Sequence, residues 1–362
     1  MTTPPAVRIG ALAPLTPPGW AEAGRHLLAG LELAAHETNA AGGIDGRPVE
    51  LLVRDTAGDP ARAEAAVGEL AGLGVAALAG EYHSVVARAA AGRADALGLP
   101  FLCSSAVLDA LTDHPTDLVA RIAPAQSLGW RGYADFLLGR LGPGSHRIAV
   151  AADPGLYWES GTRILREHVT AHGGEVLVLD ARALGPEGTC DALAAAGATT
   201  LLLLLGHPEP VVPLVRAVRR DPRLSGLLLG APAGQPELPS WGALLGTDGA
   251  GVPFLSYLPE RLTPLGERVA AELRERLGEE PSFVAHEGYD TLTVLAEALR
   301  TRGTTPEKLA GAWPHLSVEG TRGPIRFSRV PGIGVWQWAW PPVRIADRDP
   351  AAPGRFRVRH TV

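Results

Sequence analysis

Residues 75–112, VAALAGEYHSVVARAAAGRADALGLPFLCSSAVLDALT, read as strand, polar turn, helix, strand, polar turn. Residues 75–79 are an apolar run of strand length that Gly80 stops. Glu81, Tyr82, His83 and Ser84 follow as a polar cluster able to cap a helix over residues 85–97. Residues 100–102 make the next strand, which ends in Cys103-Ser104-Ser105. In a parallel α/β sheet the turns at the carboxyl ends of neighbouring strands sit side by side and line the ligand crevice. Taken singly, Ser84, Ser104 and Ser105 read as helix caps. Two hydroxyl-rich turns after adjacent strands point instead to a crevice for a small polar molecule.

Working outward, the same alternation fills the chain. Residues 7–13 form the first strand, followed by the stiff loop Pro14-Leu15-Thr16-Pro17-Pro18-Gly19-Trp20. A helix over 21–39 carries Leu27, Leu28, Leu31 and Ala35 on one face, and Gly42-Gly43 ends it. A strand over 49–54 runs into the turn 55–59, and Asp59-Pro60 starts the next helix with proline at its first position. After residues 118–122 the pattern restarts, with strands at 147–152, 175–179, 199–205 and 226–229 separated by helices. Such βα repeats predict parallel sheets with right-handed crossovers. Residues 251–256 read as a strand returning to the first lobe, followed by helices at 264–277, 282–302 and 306–313. Strand-like pieces at 324–327 and 334–340 precede a Pro/Arg-rich tail.

At 362 residues the chain is long enough for two lobes with separate cores. Its net charge of −6 and pI near 6.0 argue against a nucleic-acid or anionic-membrane partner. Lys308 is the only lysine, an arginine bias that reflects base composition rather than function. Cys103 and Cys190 lack metal-type spacing and read as buried thiols. No run approaches the roughly 18 apolar residues a membrane span needs, so no membrane insertion is expected. The start, MTTPPAVRIGALAPL, has neither a basic leader nor a lipobox cysteine. A cytoplasmic location is expected for the chain as written, and a periplasmic or extracellular one if a leader has been removed.

The stretch from Ile9 through Ala63 resembles the type I periplasmic binding proteins of the leucine/isoleucine/valine-binding branch. The resemblance rests on Asn39-Ala40-Ala41-Gly42-Gly43-Ile44-Asp45-Gly46 and on Asp55-Thr56-Ala57-Gly58-Asp59-Pro60. Ser84, the turn from Asp153 to Tyr157, and Tyr289-Asp290 extend it along nearly the whole chain. It implies an α/β fold of two Rossmann-like lobes with parallel central sheets, joined by three crossing strands and closing on a ligand. Lobe 1 is then expected at 1–122 and 254–322, and lobe 2 at 123–253 and 323–362.

The resemblance also implies a ligand site. In amino-acid-binding members, a serine after the third strand and a threonine after the fourth hold the carboxylate. Ser84 matches the serine, the threonine position falls near Val107, and Ser104, Ser105 and Ala106 lie just upstream. The family's loop aromatic falls near Trp20, its second-lobe tyrosine at Tyr157, and its late-helix aromatic near Phe283. Trp20 reads equally as a plug against the sheet, and Tyr157 also as a helix-entry packing residue. Tyr82 belongs to the turn that carries Ser84. The acid that neutralises a ligand ammonium is expected within 230–234, which reads Gly-Ala-Pro-Ala-Gly and holds no carboxylate. An unpaired buried ammonium is expensive, so a neutral amide or organic acid fits better than an ordinary α-amino acid.

His83 and His207 each follow a strand, on opposite lobes in that layout. They read either as solvated loop histidines or as a pair that meets on closure to bind an anion or sense pH. His286-Glu287 with Asp290 lacks a second histidine at helical spacing and is a weak metal signal. Asp55 and Asp59 read as turn and helix caps, and neither a metal nor a cofactor is expected. No nucleophile elbow, phosphate loop or dinucleotide fingerprint occurs, so the chain is not expected to be an enzyme. A hydrolase with a triad gathered from distant loops is the remaining catalytic reading. Two binding roles follow: a solute receptor working with an ABC permease, or a cytoplasmic sensor docking on a regulatory protein as in the family's amide-sensing branch.

Overall fold

The computed structural model describes residues 5–144 and 146–362; residues 1–4, assigned above to lobe 1, and Ser145, assigned to lobe 2, lie outside the described residues. The chain opens with β1 (Val7–Ala13), α1 (Ala21–Ala40), β2 (Val49–Asp55), α2 (Pro60–Gly72), β3 (Ala77–Gly80), α3 (Ser84–Ala96), β4 (Phe101–Cys103) and β5 (Val119–Arg121). Then follow α4 (Gln126–Leu141), β6 (Arg147–Ala152), α5 (Leu156–Ala171), β7 (Glu175–Leu179), α6 (Ala181–Ala196), β8 (Thr200–Leu204), α7 (Val211–Arg220), β9 (Leu228–Gly230), α8 (Pro239–Leu245) and β10 (Phe254–Ser256). The last part holds α9 (Pro264–Leu277), α10 (Phe283–Arg302), α11 (Pro306–Leu309), β11 (Ser317–Gly320), β12 (Gly323–Ser328), β13 (Trp336–Trp338), β14 (Arg344–Asp349) and β15 (Ala352–Thr361).

Two compact units result. Unit 1 is the chain up to Ala125 plus Tyr257–Pro342, and unit 2 is Gln126–Ser256 plus Val343–Val362. Unit 1 holds an eight-stranded sheet in the order β11-β12-β13-β5-β4-β3-β1-β2, in which β2, β1, β3, β4, β5 and β13 run parallel. Unit 2 holds a four-stranded parallel sheet, β7-β6-β8-β9, and a three-stranded antiparallel one, β10-β14-β15, linked by a bridge from Ala231 to Phe254.

The short elements have local causes. Asp59 accepts the Arg62 N–H and caps α2, with Pro60 at the first position. The Asn39 amide pairs with both backbone groups of Val49, through Nδ2 to the carbonyl (2.9 Å) and from the Val49 N–H to Oδ1 (2.6 Å). That pins the end of α1 to the start of β2. Gly43 sits at φ +76 with the Arg47 carbonyl 2.1 Å from where a Cβ would stand, so only glycine fits. All five residues of β8, TLLLL, are buried, as a strand covered on both faces should be. In α7, Val211, Val212, Leu214, Val215 and Val218 face inward. Burying each such side chain contributes about 1.5–3 kcal/mol. Cys103 and Cys190 are free and buried, and no described helix is long and apolar enough to cross a membrane.

Three expectations need correction. Residues 323–342 belong with unit 1, because β12 pairs with β13 and β13 pairs with β5, so the third passage lies at Pro342 rather than near Gly323. The Pro/Arg-rich tail is the hairpin β14–β15. Its Arg348 is buried, donating to the carbonyls of Pro236 (2.8 Å), Leu238 (2.9 Å) and Pro353 (3.0 Å). The helix expected at 306–313 stops at Leu309.

Candidate functional site

In unit 1 the five-strand order β2-β1-β3-β4-β5 reverses direction between β1 and β3. Ligands of doubly wound sheets bind outside the carboxyl ends of the strands at such a switch point. The loop after β1 carries Trp20, and the turn after β3 carries Tyr82 and His83, so the switch point is aromatic. Trp20 stacks on Tyr82 with ring centroids 5.6 Å apart, and His83 meets both edge-on at 6.2 and 5.4 Å. The Trp20 N–H donates to His83 Nε2 at 3.0 Å, which makes that nitrogen an acceptor and the ring neutral. Burial pushes His83 down to about 4. It is therefore not the anion-binding, pH-sensitive imidazole considered from the sequence.

Glu81 is fully buried beneath this cluster. Its Oε1 accepts the N–H groups of Tyr82 (2.8 Å) and His83 (3.0 Å), and Thr56 Oγ1 donates to Oε2 at 2.7 Å. Burial pushes Glu81 up to about 7, opposed by these hydrogen bonds. Asp55 accepts the N–H groups of Leu15 (2.8 Å) and Ala57 (2.8 Å) and the Thr16 hydroxyl (2.5 Å). It shapes the strand-end loops, as its sequence position suggests.

Ser84 is the first residue of α3, yet its hydroxyl does not cap that helix. Ser84 Oγ accepts the N–H groups of Val107 (3.2 Å) and Leu108 (3.3 Å), holding the turn after β4 against the turn after β3. The N–H groups of Ser104 and Ser105 donate to the carbonyls of Gly80 (2.9 Å) and Glu81 (3.4 Å). The turn's backbone donors are thus largely committed, contrary to expectation. What it offers is side chains: the hydroxyls of Ser104 and Ser105 are buried without a hydrogen-bond partner. A buried hydroxyl left unpaired costs about 1–3 kcal/mol, a demand that a ligand oxygen or a bound water meets. Ala106 is fully buried behind them, and Arg121 donates to the carbonyls of Ala106 (3.3 Å) and Leu108 (2.6 Å).

Phe283 opens α10 and packs edge-on against Tyr257 at 5.2 Å. His286, one turn on, is buried with Nδ1 unpartnered, and burial with the Arg322 charge pushes it down to about 3. Glu287 and Asp290 pair instead with buried Arg322, at 3.1 and 3.0 Å. Their helical spacing serves an ion-pair network.

In unit 2 the order β7-β6-β8-β9 places its own switch point between β6 and β8. Asp153, after β6, accepts the Gly206 N–H at 2.7 Å and is gripped by Arg182, Nη2 at 2.9 Å. Tyr157, at the start of α5, is half-buried between Trp130 and Trp158, with centroids at 5.7 and 4.6 Å. His207, after β8, is buried, with Nε2 3.0 Å from Ser240 Oγ and its ring stacked on Trp241.

The loop after β9 has no acid in residues 230–234, but it carries a buried one three residues later. Glu237 is 5% exposed. Sequence reasoning missed it because the window had been set by family position. The signal was there: Glu237 is the only charged residue between Arg223 and Asp248.

The comparisons agree with this architecture. The family described as periplasmic binding protein matches residues 6–336. A Leu/Ile/Val-binding protein homolog 8 of Brucella abortus (strain 2308) is 34% identical over 157 residues, which are 43% of this chain and 38% of that protein. The chain thus matches well under half the length of that relative. A leucine-binding protein from Thermotoga maritima MSB8 superposes with a TM-score of 0.82 at 20% identity, covering 99% of each chain. A solute-binding protein of an ABC transporter from R. palustris, in complex with benzoate, gives 0.80 at 17% identity, covering 98% of this chain and 96% of that one. With the family matched across nearly its whole length, this chain belongs to the periplasmic binding proteins.

Proposed function

We propose that this protein is the solute receptor of an ABC transporter, binding a small organic acid or neutral amide with an apolar or aromatic body, and that it is not an enzyme. The observation that carries the ligand class is the turn after β4, where two buried hydroxyls, Ser104 and Ser105, lack partners. They suit a carboxylate or amide oxygen, and the Trp20–Tyr82 stack on the loops after β1 and β3 supplies an aromatic face. Among the described residues of unit 1, two buried acids that could face an ammonium are already engaged. Glu81 is tied to Thr56 and two backbone N–H groups, and Glu287 is tied to Arg322. The benzoate bound by one structural relative is of the proposed class.

One observation favours a second reading. The buried carboxylate of Glu237 sits on the strand-end side of unit 2 and is a candidate counter-charge for the ammonium of leucine or a similar amino acid. Calorimetry against benzoate-type acids, their amides, and leucine, isoleucine and valine separates the two. The first reading expects micromolar binding of an acid or amide, weakened about tenfold or more, or 1.4 kcal/mol, in Ser105→Ala and in Trp20→Ala. Micromolar leucine binding that Glu237→Gln abolishes would establish the second reading and sink the first. Retention of the protein on vesicles carrying its transporter's permease is the expected sign of transport. Capture by a soluble regulatory protein instead would favour the sensing role.

A further inference from the structure

We propose that Asp135, His168 and His172 form a binding site for a divalent transition-metal ion of the zinc class, bridging α4 and α5 within unit 2. The site is separate from the strand-end face and independent of the solute. In the sequence His168-Val169-Thr170-Ala171-His172 the histidines are four apart, which on a helix places them on one face. They occupy the last turn of α5 and the residue that ends it, and Asp135 projects from α4. One candidate ligand atom from each of the three lies within 4.8 Å of the others. His168 Nε2 is 2.5 Å from Asp135 Oδ1, and the two imidazole rings lie 4.6 Å apart.

Protonation chemistry favours the metal. His172 Nδ1 lies 2.8 Å from the His168 carbonyl, and a carbonyl only accepts, so Nδ1 carries the hydrogen. That fixes the tautomer in which Nε2 is the unprotonated, ligating nitrogen, and it is the outer-shell contact that metal-bound histidines usually make. Two imidazole nitrogens and one carboxylate oxygen are a donor set that zinc accepts, with a water completing the tetrahedron. Bonds of about 2.0–2.1 Å set ligand atoms roughly 3.3 Å apart. The His168–Asp135 contact must therefore open by under about 1 Å as the ion replaces the shared proton. The Asp135 side chain is 56% exposed and has room to withdraw.

The site would also staple the helix pair. Near their first turns α4 and α5 are joined by Gln126 Nε2 donating to the Tyr157 carbonyl at 3.1 Å. The histidine–aspartate cluster joins them further along. An ion held there binds the folded pair and not the unfolded chain, so it raises stability by mass action.

The test is zinc titration of the full, untagged, chelator-treated chain by calorimetry, paired with thermal unfolding at about 100 times the measured Kd. We expect one saturable site with Kd below about 100 μM and a raised Tm. Both effects should fall about tenfold or more in His172→Ala and in Asp135→Ala, while the metal-free Tm stays within about 1 °C of the parent, as the exposure of both residues allows. Binding weaker than about 100 μM, or affinity unchanged in both variants, overturns the proposal.

Discussion

Glu81 and Arg322 show how differently two buried charges can be managed in one sheet. Glu81 has no cationic partner; it relies on two backbone N–H groups and the Thr56 hydroxyl, and burial holds it at about 7 against an ordinary 4.5. A carboxyl whose folded pKa is raised stabilises the fold fully below its unfolded pKa and loses that contribution as pH rises through the folded value. Between pH 4.5 and 7 the native state therefore loses stability at this residue, on the order of 3 kcal/mol. Glu81→Gln keeps the acceptor oxygen and abolishes the titration. The difference in unfolding free energy between parent and variant should drift in favour of the variant from pH 5 to pH 8; parallel pH profiles would contradict the assignment. Arg322 instead bridges two fully buried carboxylates, Glu287 and Asp290, with its guanidinium 5.0 Å over the Trp338 ring. Asp290 also accepts the Thr321 N–H (2.6 Å) and hydroxyl (2.9 Å). Removing one partner strands the other charges out of water, so Arg322→Ala should cost about 3–5 kcal/mol by chemical denaturation. A loss under about 1 kcal/mol, the range of an exposed pair, would mean the network is hydrated in solution.

Elements take their positions from a few close approaches. The turns after β3 and β4 are locked by one hydroxyl, Ser84, bonding the Val107 and Leu108 N–H groups. Ser84→Ala should therefore loosen the Ser104–Ser105 turn and weaken ligand binding measured by calorimetry. In unit 2, α5 lies so close to α4 that a Cβ at Gly161 would stand 1.9 Å from the Trp130 ring. Gly161→Ala forces that ring, and Tyr157 packed on it at 5.7 Å, to move. Overpacking of this kind costs about 1–3 kcal/mol. A measured loss below about 0.5 kcal/mol would show that Trp130 has slack the packing does not suggest. The same pairing explains what the sequence concealed about α5. It starts at Leu156, and its first turn is fixed by Trp130 and by the Gln126 contact with the Tyr157 carbonyl, both brought by α4.

For the whole molecule, what could be read from the chain was whatever periodicity and punctuation determine locally. Strand–helix alternation, the Asn39 and Gly43 device joining α1 to β2, and the polar turns after β3 and β4 all have local signals, and the structure places them where those signals say. Partner choice has no such signal. Ile325, Phe327 and Trp338 are buried apolar residues that suit either sheet, and only their pairing through β13 to β5 assigns residues 323–342 to unit 1. The burial of Arg348 in the tail has no local signal, because two of its acceptors, the carbonyls of Pro236 and Leu238, lie more than a hundred residues upstream. Glu237 lay outside a window drawn by analogy, although its isolation in an uncharged stretch marked it. The chain also passes between units at Ala125, Ser256 and Pro342, so each core gathers segments distant in sequence. Each unit nevertheless has its own sheets, one in unit 1 and two in unit 2, and its own buried cluster, with β8 and α7 central to one in unit 2 and β3, α3 and β4 to one in unit 1. Separate cores predict separate cooperative opening. Hydrogen exchange followed by mass spectrometry should therefore show Arg322→Ala raising exchange through β1, β3, β4 and α10 while β6 and β8 keep their protection, and Gly161→Ala doing the reverse. Equal loss of protection in all these elements from either substitution would mean that three chain passages are enough to make the two units open as one.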